Sequence, residues 1–178
     1  KLVAVMPEGN RKDIRNAVEA ARKATGWERN TAHGRAQVLY YLAENLQAQR
    51  SRFVQTLSLV QTGQQAADEF DAAIETLFYY AAWADKFDGQ VHQPPMHGIV
   101  TALNEPLGVI GIVCPDEAPL LGLLALVAPA IALGNRVVVL PSVALPLVAT
   151  DLYQVLDTSD VPGGVVNIVT GPIKDLVA

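Results

Sequence analysis

The sequence predicts an α/β fold in which an N-terminal helical part precedes a mostly parallel sheet. Three observations predict it. Apolar residues recur at helical spacing through the first half of the 178-residue chain. Two valine-rich runs in the second half, "NRVVVLP" and "PGGVVNIVTG", are continuously apolar, as strands covered on both faces are. Helical stretches separate these runs, so the second half alternates strand, helix, strand, helix, strand, the order of a doubly wound layer.

The elements follow in order. Asn10 is a suitable N-cap for "RKDIRNAVEAARKAT", in which Ile14, Val18, Ala21 and Thr25 line one face and Asp13 suits the positive helix end. A second helix should begin near Thr31 and turn Val38, Leu39, Leu42 and Leu46 inward. Phe53, Leu57 and Val60 continue the pattern in a third helix, which Gly63 ends. A fourth, from about Ala66 to Asp88, carries Phe70, Ile74, Leu77, Ala81, Ala84 and Phe87 on one stripe until Gly89 stops it. "QPPMHG" is a loop. "IVTALNEP" and "LGVIGIVCP" then read as two extended segments around a turn at Glu105 and Pro106. A helix from about Pro146 to Leu156 joins the two valine strands. The expected division is a helical part over 1–98 and a strand–turn–strand plus βαβαβ unit over 99–178, together one incomplete domain. No G-x-G-x-x-G opens a helix, so pattern alone gives a Rossmann-like sheet without its phosphate-binding signature.

Bulk composition excludes several classes. With 51% hydrophobic and 17% charged residues the chain is not disordered. Its net charge of −5 is interspersed, which leaves no nucleic-acid footprint. One cysteine rules out an internal disulfide framework and points to a reducing, cytoplasmic compartment. The run Ala118 to Gly134 is uncharged, but it is shorter than the roughly 20 residues of a spanning helix. It reads as a buried helix between strands, and no membrane partner is expected. The start, "KLVAVMPEGN", lacks an initiator Met and a signal-peptide order, and reads as part of a longer chain.

Asp116 and Glu117, in "CPDEAP", raise the question of a general acid/base couple. No third catalytic group lies nearby, and adjacent turn residues diverge, so a solvated or capping role at the start of the apolar helix is the expectation. His33, His92 and His97 lack ligand spacing, and no metal site is expected. Ser142 reads as a turn or capping residue, Asn135 as a helix C-cap, and Cys114 as a small apolar strand residue. Tyr79, Tyr80 and Trp83 either pack their helix against its neighbours or form a partner-binding strip.

The residues resemble the aldehyde dehydrogenase superfamily. "AVEAARKATGWERNTAHGRAQVLYYLAENL" is similar to that family's opening helices, and "YYAAWADKFDGQ" to its fourth. "NEPLGVIGIVCP", "APAIALGNRVVVLPS" and "PGGVVNIVTG" are similar to successive strands of its cofactor domain. The resemblance covers nearly the whole chain and implies the N-terminal part of that domain, with NAD(P) as the related family's cofactor. It also exposes departures. Family members read Pro-Trp-Asn-Phe-Pro where this chain has Pro115-Asp116-Glu117-Ala118-Pro119, and the family's Asn amide donates to the substrate oxygen as it becomes negative. Glu117 stands there, and an ionised carboxylate is acceptor-only. The family's Lys-Pro-Ser-Glu, which holds the adenosine ribose, is here Leu140-Pro141-Ser142-Val143. Gln64 replaces a Lys on the solvent side. The resemblance places the family's cysteine nucleophile, glutamate base and Gly-Ser-Thr turn past Ala178.

A kept scaffold with altered anchors is most similar to the degenerate second region of the aldehyde dehydrogenase sixteen family. The resemblance then implies a non-catalytic module, with no catalytic residue here, no tightly bound cofactor, and a structural, oligomerisation or protein-interaction role. The strand region 99–112, part of the family's projecting assembly sheet, is the expected surface for a homo-oligomer or protein partner. The alternative is part of an NAD(P)-dependent aldehyde dehydrogenase whose active site is completed outside this piece.

Overall fold

A computed structural model describes residues 4–176, leaving out the side chain of residue 175. The expectation about the chain's start falls partly on residues 1–3, outside the described residues. The fold is α/β, as the sequence predicts.

Helix α1 (Arg11–Lys23) starts at a reciprocal cap. The Asn10 Oδ1 accepts from Lys12 N at 2.8 Å, and the Asp13 carboxylate accepts from Asn10 N at 2.9 Å. A single turn, α2 (Gly26–Arg29), buries Trp27, and α3 (Ala32–Ala48) begins after Thr31, whose Oγ1 accepts from Gly34 N. The next boundary differs from the sequence reading. Helix α4 (Arg50–Leu57) ends before Val60, which is exposed, and Gly63 opens the following helix rather than closing this one. The cause is local: Thr62 and Gln65 form a capping box that starts α5 (Gly63–Ala84) three residues early. Helix α5 also stops before Phe87, which is exposed. Gly89 serves another purpose than ending it, since a Cβ there would sit 2.2 Å from the Ala102 carbonyl oxygen.

That close approach belongs to a ribbon the sequence reading missed in part. Strand β1 (Gln90–His92) pairs antiparallel with β2 (Val100–Ala102), all six residues exposed. The two extended segments flanking Glu105 and Pro106 therefore enter different sheets. Strand β3 (Val109–Val113) pairs in parallel with β4 (Arg136–Leu140), and β4 with β5 (Val166–Ile168), in the order β3-β4-β5.

Helices α6 (Pro119–Ala132) and α7 (Leu147–Asp157) make the crossovers. No helix among the described residues is long and apolar enough to cross a membrane. All five residues of β4 are buried, because side chains alternate between two cores. Val137 and Val139 join the large core formed with α3, α5, α6 and α7. Val138 and Leu140 join a smaller one under α1, with Ala21, Val169 and Leu176, the last from the terminal turn α8 (Ile173–Leu176).

Helix α6 carries no charge of its own, yet both its ends are held by polar side chains from earlier helices. At its N-terminus the Glu69 Oε1 accepts from Leu120 N at 2.8 Å and Leu121 N at 3.1 Å, while its Oε2 accepts from Gln61 Nε2. At its C-terminus the Trp27 indole donates to Ile131 O at 2.9 Å, and Arg35 Nε donates to Ala132 O at 2.8 Å. A carboxylate at the positive end and a guanidinium at the negative end complement the helix dipole. Asn135 corrects the sequence reading too. The C-cap is Leu133, Gly134 takes φ 84°, and the Asn135 side chain bridges Gly108 N and Ala130 O, fixing the entry to β3.

Candidate functional site

Ligands of open α/β sheets bind outside the carboxyl ends of the strands, which here align three loops. Residues 114–118 follow β3, residues 141–146 follow β4, and residues 169–172 follow β5. The N-terminal segment crosses the third of these. Gly9 N donates to Thr170 O at 2.7 Å, and Thr170 Oγ1 donates to Pro7 O at 2.7 Å. Met6, Pro7, Glu8, Pro141, Ser142, Val143, Pro146 and residues 170–172 enclose a cleft of about 210 Å³.

Asp116 and Glu117 part company at this edge. Neither accepts from the first turn of α6 in a side-chain hydrogen bond; Glu69 does that, so of the solvated or capping role expected of the pair the capping alternative is corrected, and both residues are exposed. Asp116 reaches across to the loop after β4 instead. Its Oδ1 accepts from Ser142 Oγ at 2.7 Å, Val143 N at 2.9 Å and Ala144 N at 3.2 Å. The Ser142 hydroxyl and then the two backbone N–H groups hold the Asp116 carboxyl below the usual carboxylate range. Ser142 is buried and acts as the turn residue expected, its Oγ also accepting from Ala144 N at 3.2 Å. Glu117 is exposed and makes no side-chain hydrogen bond among the described residues.

Cys114 lies one residue past β3, is buried, and its thiol is pushed up to about 11 by that burial. A thiol held protonated is a poor nucleophile. His33, His92 and His97 stay apart. No group of three or more His, Cys, Asp or Glu among the described residues is placed to hold a metal. Tyr79 and Trp83 are 56% and 45% exposed and border an apolar groove with Tyr80, Phe87 and Leu133, and Tyr80 also packs against the large core.

Residues 140–143, from the end of β4 into its loop, present little to a nucleotide. Leu140 is 4% exposed, turned into the smaller core beneath α1, while Val143 is 49% exposed at the cleft rim. Pro141 offers no N–H, and the Ser142 hydroxyl and the Val143 N–H are already bonded to Asp116. Only Glu8 among the cleft-lining residues carries a charge. The cleft lining offers no cation to a phosphate, while the Glu8 carboxylate can accept from a hydroxyl such as that of a ribose.

The sequence reading missed Glu69 and the Asp116 bridge. Glu69 left a trace: it falls on the buried stripe of Ala66, Phe70 and Ala73, where a carboxylate requires partners. The Asp116 bridge depends on two loops meeting 26 residues apart in the chain, and no local pattern signals it.

A sequence profile of the aldehyde dehydrogenase family matches residues 1–178. Retinaldehyde dehydrogenase 3 of Mus musculus is 35% identical over 177 residues, covering 95% of this chain and 34% of that protein. Omega-crystallin of Enteroctopus dofleini is 33% identical over 180 residues, covering 96% of this chain and 36% of the relative. Among solved structures, betaine aldehyde dehydrogenase from Staphylococcus aureus in complex with NAD+ superposes with a TM-score of 0.95 at 25% identity, covering 99% of this chain and 36% of that one. The chain thus spans about a third of the length of the relatives it matches.

Proposed function

Because the chain belongs to the aldehyde dehydrogenase family, we propose that it keeps that family's scaffold as a non-catalytic module working in assembly or protein–protein interaction. The observation that carries this reading is the end of β4 and the loop that follows it. There Leu140 is committed to the core and Val143 lines the cleft, where the resemblance implies a Lys and a Glu on the adenosine ribose. Loss of such hydrogen bonds costs roughly 0.5–1.5 kcal/mol each, and more for charged groups. Glu117 adds to it. An ionised carboxylate facing a developing oxyanion does worse than a missing donor, and a missing donor alone costs on the order of a hundred- to a thousandfold in rate. Within the family, the combination suits the degenerate second region of the aldehyde dehydrogenase sixteen family, in a cytoplasmic protein.

For the assembly role, region 99–112 narrows to residues 99–107 with the ribbon partner β1, because residues 109–112 lie in β3 of the parallel sheet. Val91, Ile99, Val100 and Leu103 are exposed on or beside β1 and β2, and Leu107 is 89% exposed before β3. An unpaired apolar ribbon edge favours pairing with a second subunit or another protein.

A second reading has one observation in its favour, the close superposition on an enzyme in complex with NAD+. In that reading the chain is part of an NAD(P)-dependent aldehyde dehydrogenase, with substitute anchors and an active site completed elsewhere. Calorimetric titration of NAD into the full-length polypeptide separates the two. Absent or millimolar binding supports the non-catalytic module. Micromolar binding overturns it in favour of the enzyme.

A further inference from the structure

We infer that the Asp116 carboxylate is the resident occupant of the anion-accepting donors at the carboxyl edge of the sheet, where it excludes phosphate-bearing ligands from the cleft beside β4. The inference deepens the reading above, since it rests on this edge being the place where the fold would take a dinucleotide.

The donors form one concave set. Two successive backbone N–H groups, Val143 and Ala144, and the Ser142 hydroxyl all point at a single oxygen, Asp116 Oδ1. Successive N–H groups converging in this way make an anion-binding nest. In this chain the anion is covalently supplied from the neighbouring loop, so its effective concentration is high and it cannot diffuse away. Ser142 and Val143 also line the cleft, which places the occupied nest on the wall a ligand would touch.

Electrostatics reinforce the occupancy. Asp116 forms no ion pair with a cation among the described residues, so its charge is offset only by hydrogen bonds. Glu8 lines the same cleft, and no lysine or arginine does. A phosphate arriving there would have to displace one carboxylate from its donors while approaching another. Like charges repel, and because Asp116 is exposed, added salt screens that repulsion. The hydrogen bonds from Ser142 and the two amides also hold Asp116 in its ionised form at neutral pH.

The opposing account is that Asp116 merely braces the loops after β3 and β4. The two accounts diverge in their response to charge and salt. The experiment titrates AMP and inorganic phosphate into full-length wild type, Asp116→Asn and Asp116→Ala, reading affinity by calorimetry and the amide resonances of Val143 and Ala144 by NMR. We expect Asp116→Ala to bind AMP at least about tenfold tighter than wild type, with shifts at both amides. Asp116→Asn, which keeps an acceptor but loses the charge, should gain less. The advantage of both variants should narrow as added salt screens the wild-type charge. If both variants fold as wild type does and bind AMP no better, Asp116 is only a brace and the inference fails. If the alanine variant does not fold, the asparagine variant decides alone: a gain supports the inference and no gain overturns it. The absolute NAD affinity of wild type tests the reading in the preceding section, whereas the ratio of variant to wild type tests this one.

Discussion

Helix α6 and the loop after β4 treat their polar groups differently. Around α6, every polar contact serves the scaffold: Glu69 at its start and Trp27 and Arg35 at its end satisfy backbone groups that the apolar helix cannot satisfy itself. At the carboxyl edge, Leu140 has gone into the core, and Ser142 and Val143 are paired with a carboxylate from the next loop. Folding needs the first set, because buried unpaired backbone groups are costly. Only ligand chemistry needs open donors at the second. Under the proposed function, the contrast is that of a scaffold kept by its backbone caps beside a ligand edge whose donors are turned to contacts within the chain.

The sharpest break in this comparison is Trp27→Ala. It empties a buried site and removes the indole cap on Ile131, so a loss of about 3–5 kcal/mol is expected from denaturant midpoints. Glu69→Ala comes next. It leaves Leu120 and Leu121 N–H unpaired inside the protein for a cost of about 1–3 kcal/mol, most of which Glu69→Gln should recover by keeping an acceptor. A smaller loss from Glu69→Ala than from a surface change would show that the cap is idle.

On the other side, the paired substitution Leu140→Lys with Val143→Glu should leave NAD binding better by roughly tenfold or more, measured by calorimetry. Leu140 is packed beneath α1, so the lysine must emerge past that core, and Val143→Glu alone is the better tolerated change. No gain from the pair would mean that the nucleotide site is lost for reasons other than the missing anchors.

The smallest effect concerns pH. The folded-state pKa of Asp116 is depressed, so its contribution to loop order is complete above the ordinary carboxylate range and is lost as pH falls through the depressed folded value. The amide resonances of Val143 and Ala144 should therefore shift together only once pH falls below the ordinary carboxylate range, and Asp116→Asn should abolish that step. Acid titration of wild type without such a step would contradict the bridge.

How much of this was legible in the sequence varied with how local the cause is. Strand β4 could be read from one valine run, because burial on both faces leaves a continuous apolar signature. The cap at Asn10 lies within four residues and was equally plain. The boundary between α4 and α5 was misplaced because the spacing of Val60 continues the apolar pattern, while the Thr62–Gln65 cap overrides it. Strand β1 has one apolar residue in three and exists only through its partner β2. At the site, the identities at Glu117, Leu140 and Val143 could be compared with a family pattern. The Asp116 bridge needed two loops in space before it had a meaning.

The central claim is that the carboxyl edge has been rebuilt inward and no longer grips a dinucleotide. A crystal structure of the full-length polypeptide grown with saturating NAD tests it most directly. We predict that Asp116 stays bonded to Ser142, Val143 and Ala144, with no ordered ribose in the cleft beside Pro141. A dinucleotide held there, with its ribose or phosphates gripped by other groups of this edge, would contradict the account.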